Sequence, residues 1–336
     1  MRPVLMFMFI CASVTCSLQA QERLPILDVH MHASPLTFGG PPPTSQCVSW
    51  PTLPVWDQQT PFGATWGRIL ANPACDDPVW APSTDGEVMT QSIAAMDRLN
   101  IIGVLSGEPE RVARWMKAAP GRFYPGYEFE IGKSDVPPGD LRELHEAGRL
   151  SVLAEITNQY AGITPDDERM EPYWTLLEEL DLPAGIHIGT GPPGAIYLGS
   201  GEYRARLHSP LALEEVLVRH PRMRVYIMHA GYPMLDDLLA VLYAHPQVYV
   251  EVGVIVWLLP RLEFYRYLAN IVNAGYGNRV MFGSDQMIWP GVIERSVAII
   301  NEAPFLNRRQ KRSILYHNAA RFLRLSDEEI KRHHGM

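Results

Sequence analysis

The stretch Ile26-Leu27-Asp28-Val29-His30-Met31-His32 is a short apolar run that ends in two histidines. Its length and side chains read as a buried strand. Residues two apart on a strand face the same way, so His30 and His32 project together with Asp28 one step behind. Two imidazoles on one face, at the mouth of a buried element, suit a divalent metal such as zinc.

Outward from that stretch the chain is rhythmic. Apolar, β-rich runs at 101–106, 123–129, 150–156, 184–190, 224–231, 248–254 and 279–285 join 25–32 to make eight. Between them lie amphipathic helical patterns at 87–99, 108–119, 139–146, 173–180, 211–219, 234–244, 261–274 and 292–302. Continuously apolar strands flanked by helices form a parallel sheet buried on both faces. Eight such units point to an α/β fold, a closed (β/α)8 TIM barrel. A doubly wound open sheet usually carries a Gly-rich phosphate turn after its first strand, and here His30-Met31-His32 takes that place. No linker divides the eight units, so 21–336 reads as one barrel domain.

Residues 33–87 interrupt the rhythm after the first strand. They hold Pro41-Pro42-Pro43, seven further prolines, and Trp50, Trp56, Trp66 and Trp80. That density predicts neither regular helix nor strand. A loop of this length is functional or disordered, and four tryptophans argue against disorder. The expectation is a long lid insertion with an aromatic wall. Residues 1–20 read as a signal peptide, with Arg2 before an apolar stretch from Val4 to Val14 and Ala20 as a cleavage residue. The expected location is therefore periplasmic or secreted. Cys11 and Cys16 leave with the signal, and an oxidising compartment then favours a disulfide between Cys47 and Cys75.

A net charge of −8 argues against nucleic-acid and anionic-membrane partners. No internal run of about 20 apolar residues predicts a membrane span. Gly189-Thr190-Gly191-Pro192-Pro193-Gly194 lacks the ending of a phosphate loop and reads as a rigid turn lining a pocket. His208, His220 and His245 fall in loops or at helix ends and are expected in solvent. His333 and His334 belong to a polar tail.

In a barrel, functional side chains sit at the C-terminal strand ends. There the chain carries His30 and His32 (first strand), Glu155 (fourth), His187 (fifth), His229 (sixth) and Asp285 (eighth). Burying these groups unpaired costs several kcal/mol together, a cost that a shared metal removes. Glu251 faces the barrel from the seventh strand and reads as a core hydrogen-bonding residue.

This ordered set, His-x-His, His, His and Asp on strands one, five, six and eight, resembles the amidohydrolase superfamily. The match is to its amidohydrolase-related branch, which includes aminocarboxymuconate-semialdehyde decarboxylase-like enzymes. The closing His317-Asn318-Ala319-Ala320-Arg321 is similar to that branch's last helix. The resemblance implies that His30, His32, His187 and Asp285 hold a divalent metal, zinc foremost. It implies that His229 polarises the attacked group or binds a second metal, and that Asp285 moves the proton. Glu155 is placed either to bridge two metals or to orient a ligand histidine. The implied activity is hydrolysis of a small amide, ester or lactone. The alternative is non-oxidative decarboxylation of an aromatic or unsaturated acid. A small-molecule substrate and a homodimer are the partners that the resemblance suggests.

Overall fold

All eight apolar runs form strands. The computed structural model describes residues 23–335. Its barrel strands are β1 (Ile26–His32), β2 (Ile101–Ser106), β3 (Phe123–Phe129), β4 (Val152–Ile156), β5 (Ala184–His187), β6 (Val225–Met228), β7 (Tyr249–Glu251) and β8 (Val280–Met281). They pair in parallel and in chain order. Between β1 and β8 the backbone joins through Val29 N to Phe282 O (3.0 Å) and Asp285 N to His30 O (2.8 Å). Helices flank the strands close to the expected positions, among them Asp85–Leu99, Arg261–Ile271 and Gly291–Glu302. The first of these starts where Thr84 and Glu87 form a reciprocal capping box. The predicted signal peptide at 1–20 lies outside the described residues.

Leu27, Val29, Ile102, Val104, Val152 and Tyr226 fill the barrel interior, while the outward residues of each strand pack against the helices. Tyr316, Ala319, Ala320 and Phe322 plug the bottom. The Asn-Ala-Ala-Arg motif explains that plug. Asn318 Nδ2 donates to Gly277 O (3.0 Å) and Val280 O (2.6 Å), tying the helix to the start of β8. The two alanines are small enough to lie against the strands. Arg321 Nε donates to the Tyr249 hydroxyl at 2.8 Å.

Two expectations need correction. Segment 33–87 is not irregular throughout: Phe62–Ala71 is a helix, and Ser45–Gln46 pairs antiparallel with Val79–Trp80. Its prolines lie outside that helix, so they bound it without breaking it. Trp50 stacks on Trp66 (centroids 6.0 Å apart), and Trp56 meets Tyr197 (4.8 Å) from the turn after β5. Cys47 and Cys75 are joined by a disulfide, with 5.9 Å between their Cα atoms.

The second correction concerns His208 and His220, expected in solvent, and His333, assigned to a polar tail. His208, His220 and His333 are buried. His220 pairs with Glu171 (2.9 Å) across two helices. His333 lies under the barrel because the helix Asp327–Gly335 folds back. Its Nδ1 meets the Tyr316 hydroxyl at 3.1 Å, and its backbone carbonyl accepts from Asn100 Nδ2.

Two predictions follow from this packing. Burial, reinforced by the Arg332 charge, pushes the His333 imidazole down from 6.5 to about 4. The unfolded chain therefore takes the proton first. The stability involved is present above pH 6.5 and is lost as pH falls toward 4. His333→Gln is expected to reduce the slope of Tm against pH in that window, and an unchanged slope would assign the limb to other groups. Separately, the disulfide spans 28 residues, a loop whose closure is worth about 3.5 kcal/mol. Cys47→Ser/Cys75→Ser is expected to accelerate limited proteolysis within 33–87. Equal cleavage rates would mean that the aromatic packing alone secures the segment.

Candidate metal centre

Strand alternation explains only part of the centre. On β5, Ala184 and Ile186 face the helices, so His187 faces inward. On β7, Val250 faces out and Glu251 in. The remaining residues need a break in the strand. On β1, Leu27 and Val29 fill the interior, yet His30 and His32 also reach the mouth, because pairing with β2 shifts between Asp28 and Met31. Such a bulge re-aims side chains. A shift between Leu153 and Ile156 does the same for Glu155 on β4. Beyond β6 and β8 the backbone is left-handed at His229 (φ 54°), Ala230 (φ 47°) and Asp285 (φ 49°). Residues with a Cβ persist there only where surrounding contacts hold them. Here Glu251 Oε1 accepts from His229 N at 2.7 Å, and His30 O accepts from Asp285 N at 2.8 Å.

The result is one cluster of buried donors. His30 Nε2 and His32 Nε2 approach to 2.9 Å, and Asp285 Oδ1 stands 3.6 and 3.2 Å from them. Glu155 lies between two histidine pairs. Its Oε2 is 3.7 Å from His30 and 3.5 Å from His32, and its Oε1 is 2.5 Å from His187 Nδ1 and 3.4 Å from His229 Nε2. Three overlapping trios, His30/His229/Asp285, His30/His32/Glu155 and Glu155/His187/His229, each bring ligand atoms within 4.8 Å of one another.

Glu251 supports this cluster from behind. Its Oε1 accepts from His30 Nδ1 at 3.1 Å, and its Oε2 accepts from Gly253 N. Gln286 clamps His32, accepting from its N–H (3.1 Å) and donating to its carbonyl (2.6 Å). Asp28 does not enter the cluster: its Oδ1 accepts from His30 N (3.1 Å) and Ser284 N (2.9 Å) at the β1–β8 seam.

The electrostatics match a cation site. Burial disfavours charged imidazoles, but Asp285 and Glu251 overcome it and hold His30 well above its usual pKa. Burial would also protonate Glu155, but the adjoining His187, with His229 and His30, holds it well below the usual carboxylate range. His187 itself is lowered, by burial and by neighbouring His229. Carboxylates that retain protons on adjacent imidazoles can exchange those protons for a metal ion. Two imidazole nitrogens aimed at one point, with carboxylate oxygens beside them, are the donor set that such an ion takes. The residues present fit a divalent cation.

All six proposed ligand and catalytic residues come together, and Cys47 and Cys75 lie away from them. Sequence reasoning missed Glu128 and Gln286. Glu128 shares the inward face of β3 with Tyr124, and burial raises its pKa while His32 opposes the shift. Alternation along β3 is the signal that could have found it.

The family model described as Amidohydrolase matches residues 27–325. The chain belongs to the amidohydrolase family. It is thus a metal-dependent enzyme by kinship as well as by its donors. No curated protein matches it in sequence. Among solved structures it is similar to an uncharacterised TIM-barrel protein from Bordetella bronchiseptica (17% identity, TM-score 0.59, 92% of this chain and 100% of that one). It is also similar to a 2,6-dihydroxybenzoate decarboxylase bound to 2,6-dihydroxybenzoate (14%, 0.56, 90% and 100%). A third is a "probable 2-pyrone-4,6-dicarboxylic acid hydrolase" from Acinetobacter baumannii (13%, 0.54, 90% and 100%). At these identities the likeness concerns the fold.

Within this amidohydrolase, two glycines make room for Glu251. A Cβ on Gly283 would overlap the Glu251 carboxylate and stand 2.8 Å from His30 Cβ, and one on Gly253 would lie 2.7 Å from Glu251 Oε2. Gly283→Ala is expected to displace Glu251 and weaken metal binding about 10- to 100-fold, the range seen when a partner of a ligand histidine is lost. Chelator competition followed by elemental analysis measures this. Wild-type affinity in the variant would show that Glu251 does not orient His30.

Proposed function

We propose that this amidohydrolase hydrolyses a small amide, ester or lactone, with His30, His32, His187 and Asp285 holding zinc and Glu155 as a further ligand. The observation that carries the proposal is the convergence of these donors at one barrel mouth. A divalent ion there supplies Lewis acidity and makes hydroxide available near neutral pH. Asp285, kept ionised by His30 and His32 despite its burial, accepts the proton released in the attack and returns it to the leaving group. His229 Nδ1 is paired with Gly253 O at 2.9 Å, which leaves Nε2 to face the centre and stabilise a developing oxyanion.

Hydrolysis is favoured over decarboxylation by charge. Among the described residues, no lysine or arginine forms a hydrogen bond or ion pair with His30, His32, Glu155, His187, His229, Glu251 or Asp285. A substrate carboxylate would therefore find no lysine or arginine paired with the centre's donors. Export to the periplasm or medium belongs to the same proposal, and the Cys47–Cys75 disulfide supports it, since such bonds persist in oxidising compartments.

The test is elemental analysis of the purified enzyme, paired with a panel of esters, lactones, amides and hydroxybenzoates. The expected results are bound zinc and acid release from an acyl substrate. Asp285→Asn is expected to lower kcat by at least about 100-fold, in line with loss of general acid–base catalysis. Carbon dioxide release from a hydroxybenzoate, without hydrolysis of any acyl substrate, would replace this reading with decarboxylation.

A further inference from the structure

His187 presents two different faces. Its Nδ1 meets Glu155 at 2.5 Å, inside the donor cluster. Its Nε2 is fully buried and has no hydrogen-bond partner in the protein. A histidine that ligates through one nitrogen needs an acceptor for the N–H of the other, since that bond sets both tautomer and ring orientation.

A small cavity of about 10 Å³ adjoins His187. Most of its wall is apolar, including Ile156, Ile163 and Trp174. Beside His187, three polar side chains line it: Asn158, whose amide is already paired with Ile131 N and Met170 Sδ, and Gln159 and His208, which are 2% and 1% exposed. Both amide atoms of Gln159 and the Nε2 of His208 are buried without a protein partner. Leaving such groups unsatisfied carries the full cost of their desolvation. Three side chains with unmet polar atoms around one small space are therefore a built site, not a packing accident. A cavity of this size holds one water, and a buried water commonly makes about three hydrogen bonds.

The segment that carries His208 is firmly placed. Its carbonyl accepts from Gly189 N at 2.8 Å, the Tyr203 hydroxyl accepts from Gly191 N at 3.1 Å, and the Tyr203 ring lies nearly parallel to that of His208. The turn 189–194 is thereby laced to the wall of the cavity.

We propose that Gln159 and His208 are positioning residues which, through one captive water, receive the Nε2–H of His187 and hold its Nδ1 toward the metal centre. The water accepts from His187 and donates to the Gln159 carbonyl oxygen and to His208 Nε2. No proton is lost in this arrangement, and each of the three bonds satisfies a buried atom. The inference rests on the metal-centre assignment given above.

The experiment measures metal affinity of the holoenzyme by competition with a chelator, together with a high-resolution crystal structure. Gln159→Leu and His208→Phe are each expected to weaken metal binding about 10- to 100-fold. The double variant should be little worse than either single one, because both disable the same water. His208→Gln, which restores a polar end, should recover part of the loss, whereas Ile163→Val in the apolar wall should leave affinity unchanged. Density for one water within hydrogen-bond reach of His187 Nε2 is expected in the wild type. Unaltered affinity in both single variants, or a dry cavity, would overturn the proposal. Wild-type protein that binds no metal would instead overturn the metal-centre assignment itself.

Discussion

Four imidazoles can share the mouth of a barrel only if negative charge is interleaved between them. That constraint governs this molecule. Glu155 separates His30 and His32 from His187 and His229, Asp285 adjoins the first pair, and Glu251 backs His30 and the His229 backbone. With the carboxylates gone, the imidazoles would be neutral and mutually unconstrained. With the imidazoles gone, buried carboxylates would repel one another. Each set is tolerable in the interior only because the other is present. A metal ion completes this balance, which the protein has already largely assembled.

The interleaving explains the local irregularities. A strictly alternating barrel would bring His187 and Glu251 inward and leave Glu155 and His229 among the helices. The bulges in β1 and β4 and the left-handed turns at His229 and Asp285 correct this. Each irregularity is held by a contact within the centre or across the seam, so the backbone distortion and the polar network support each other. Gly253 and Gly283 belong to the same design, since any side chain there would occupy the space of Glu251.

These features also mark what could be read from the chain. The eight strands were legible because their apolar runs are continuous, and the strand ends then named six of the centre's residues. The way those residues face the same point was not legible, because bulges and left-handed turns leave little trace in an apolar pattern. The helix Phe62–Ala71 was hidden by the prolines around it. His208 and His220 looked solvent-bound, and His333 looked like part of a polar tail, because their neighbours, Tyr203, Glu171 and Tyr316, are known only once the chain is folded. Glu128 was missed because it is one polar residue within an otherwise ordinary strand.

The seam between β1 and β8 draws fold and chemistry together. β8 is only two residues long, and no regular ladder joins it to β1. Closure there depends on Val29 N to Phe282 O, Asp285 N to His30 O, and the Asp28 carboxylate accepting from Ser284 N. Two of the residues making these bonds, His30 and Asp285, carry donors of the centre. Barrel closure and assembly of the donor cluster are therefore one structural event. An ion that binds only the assembled cluster must then stabilise the closed barrel by mass action. A seam residue such as Asp28 can accordingly affect metal affinity without contributing a ligand atom.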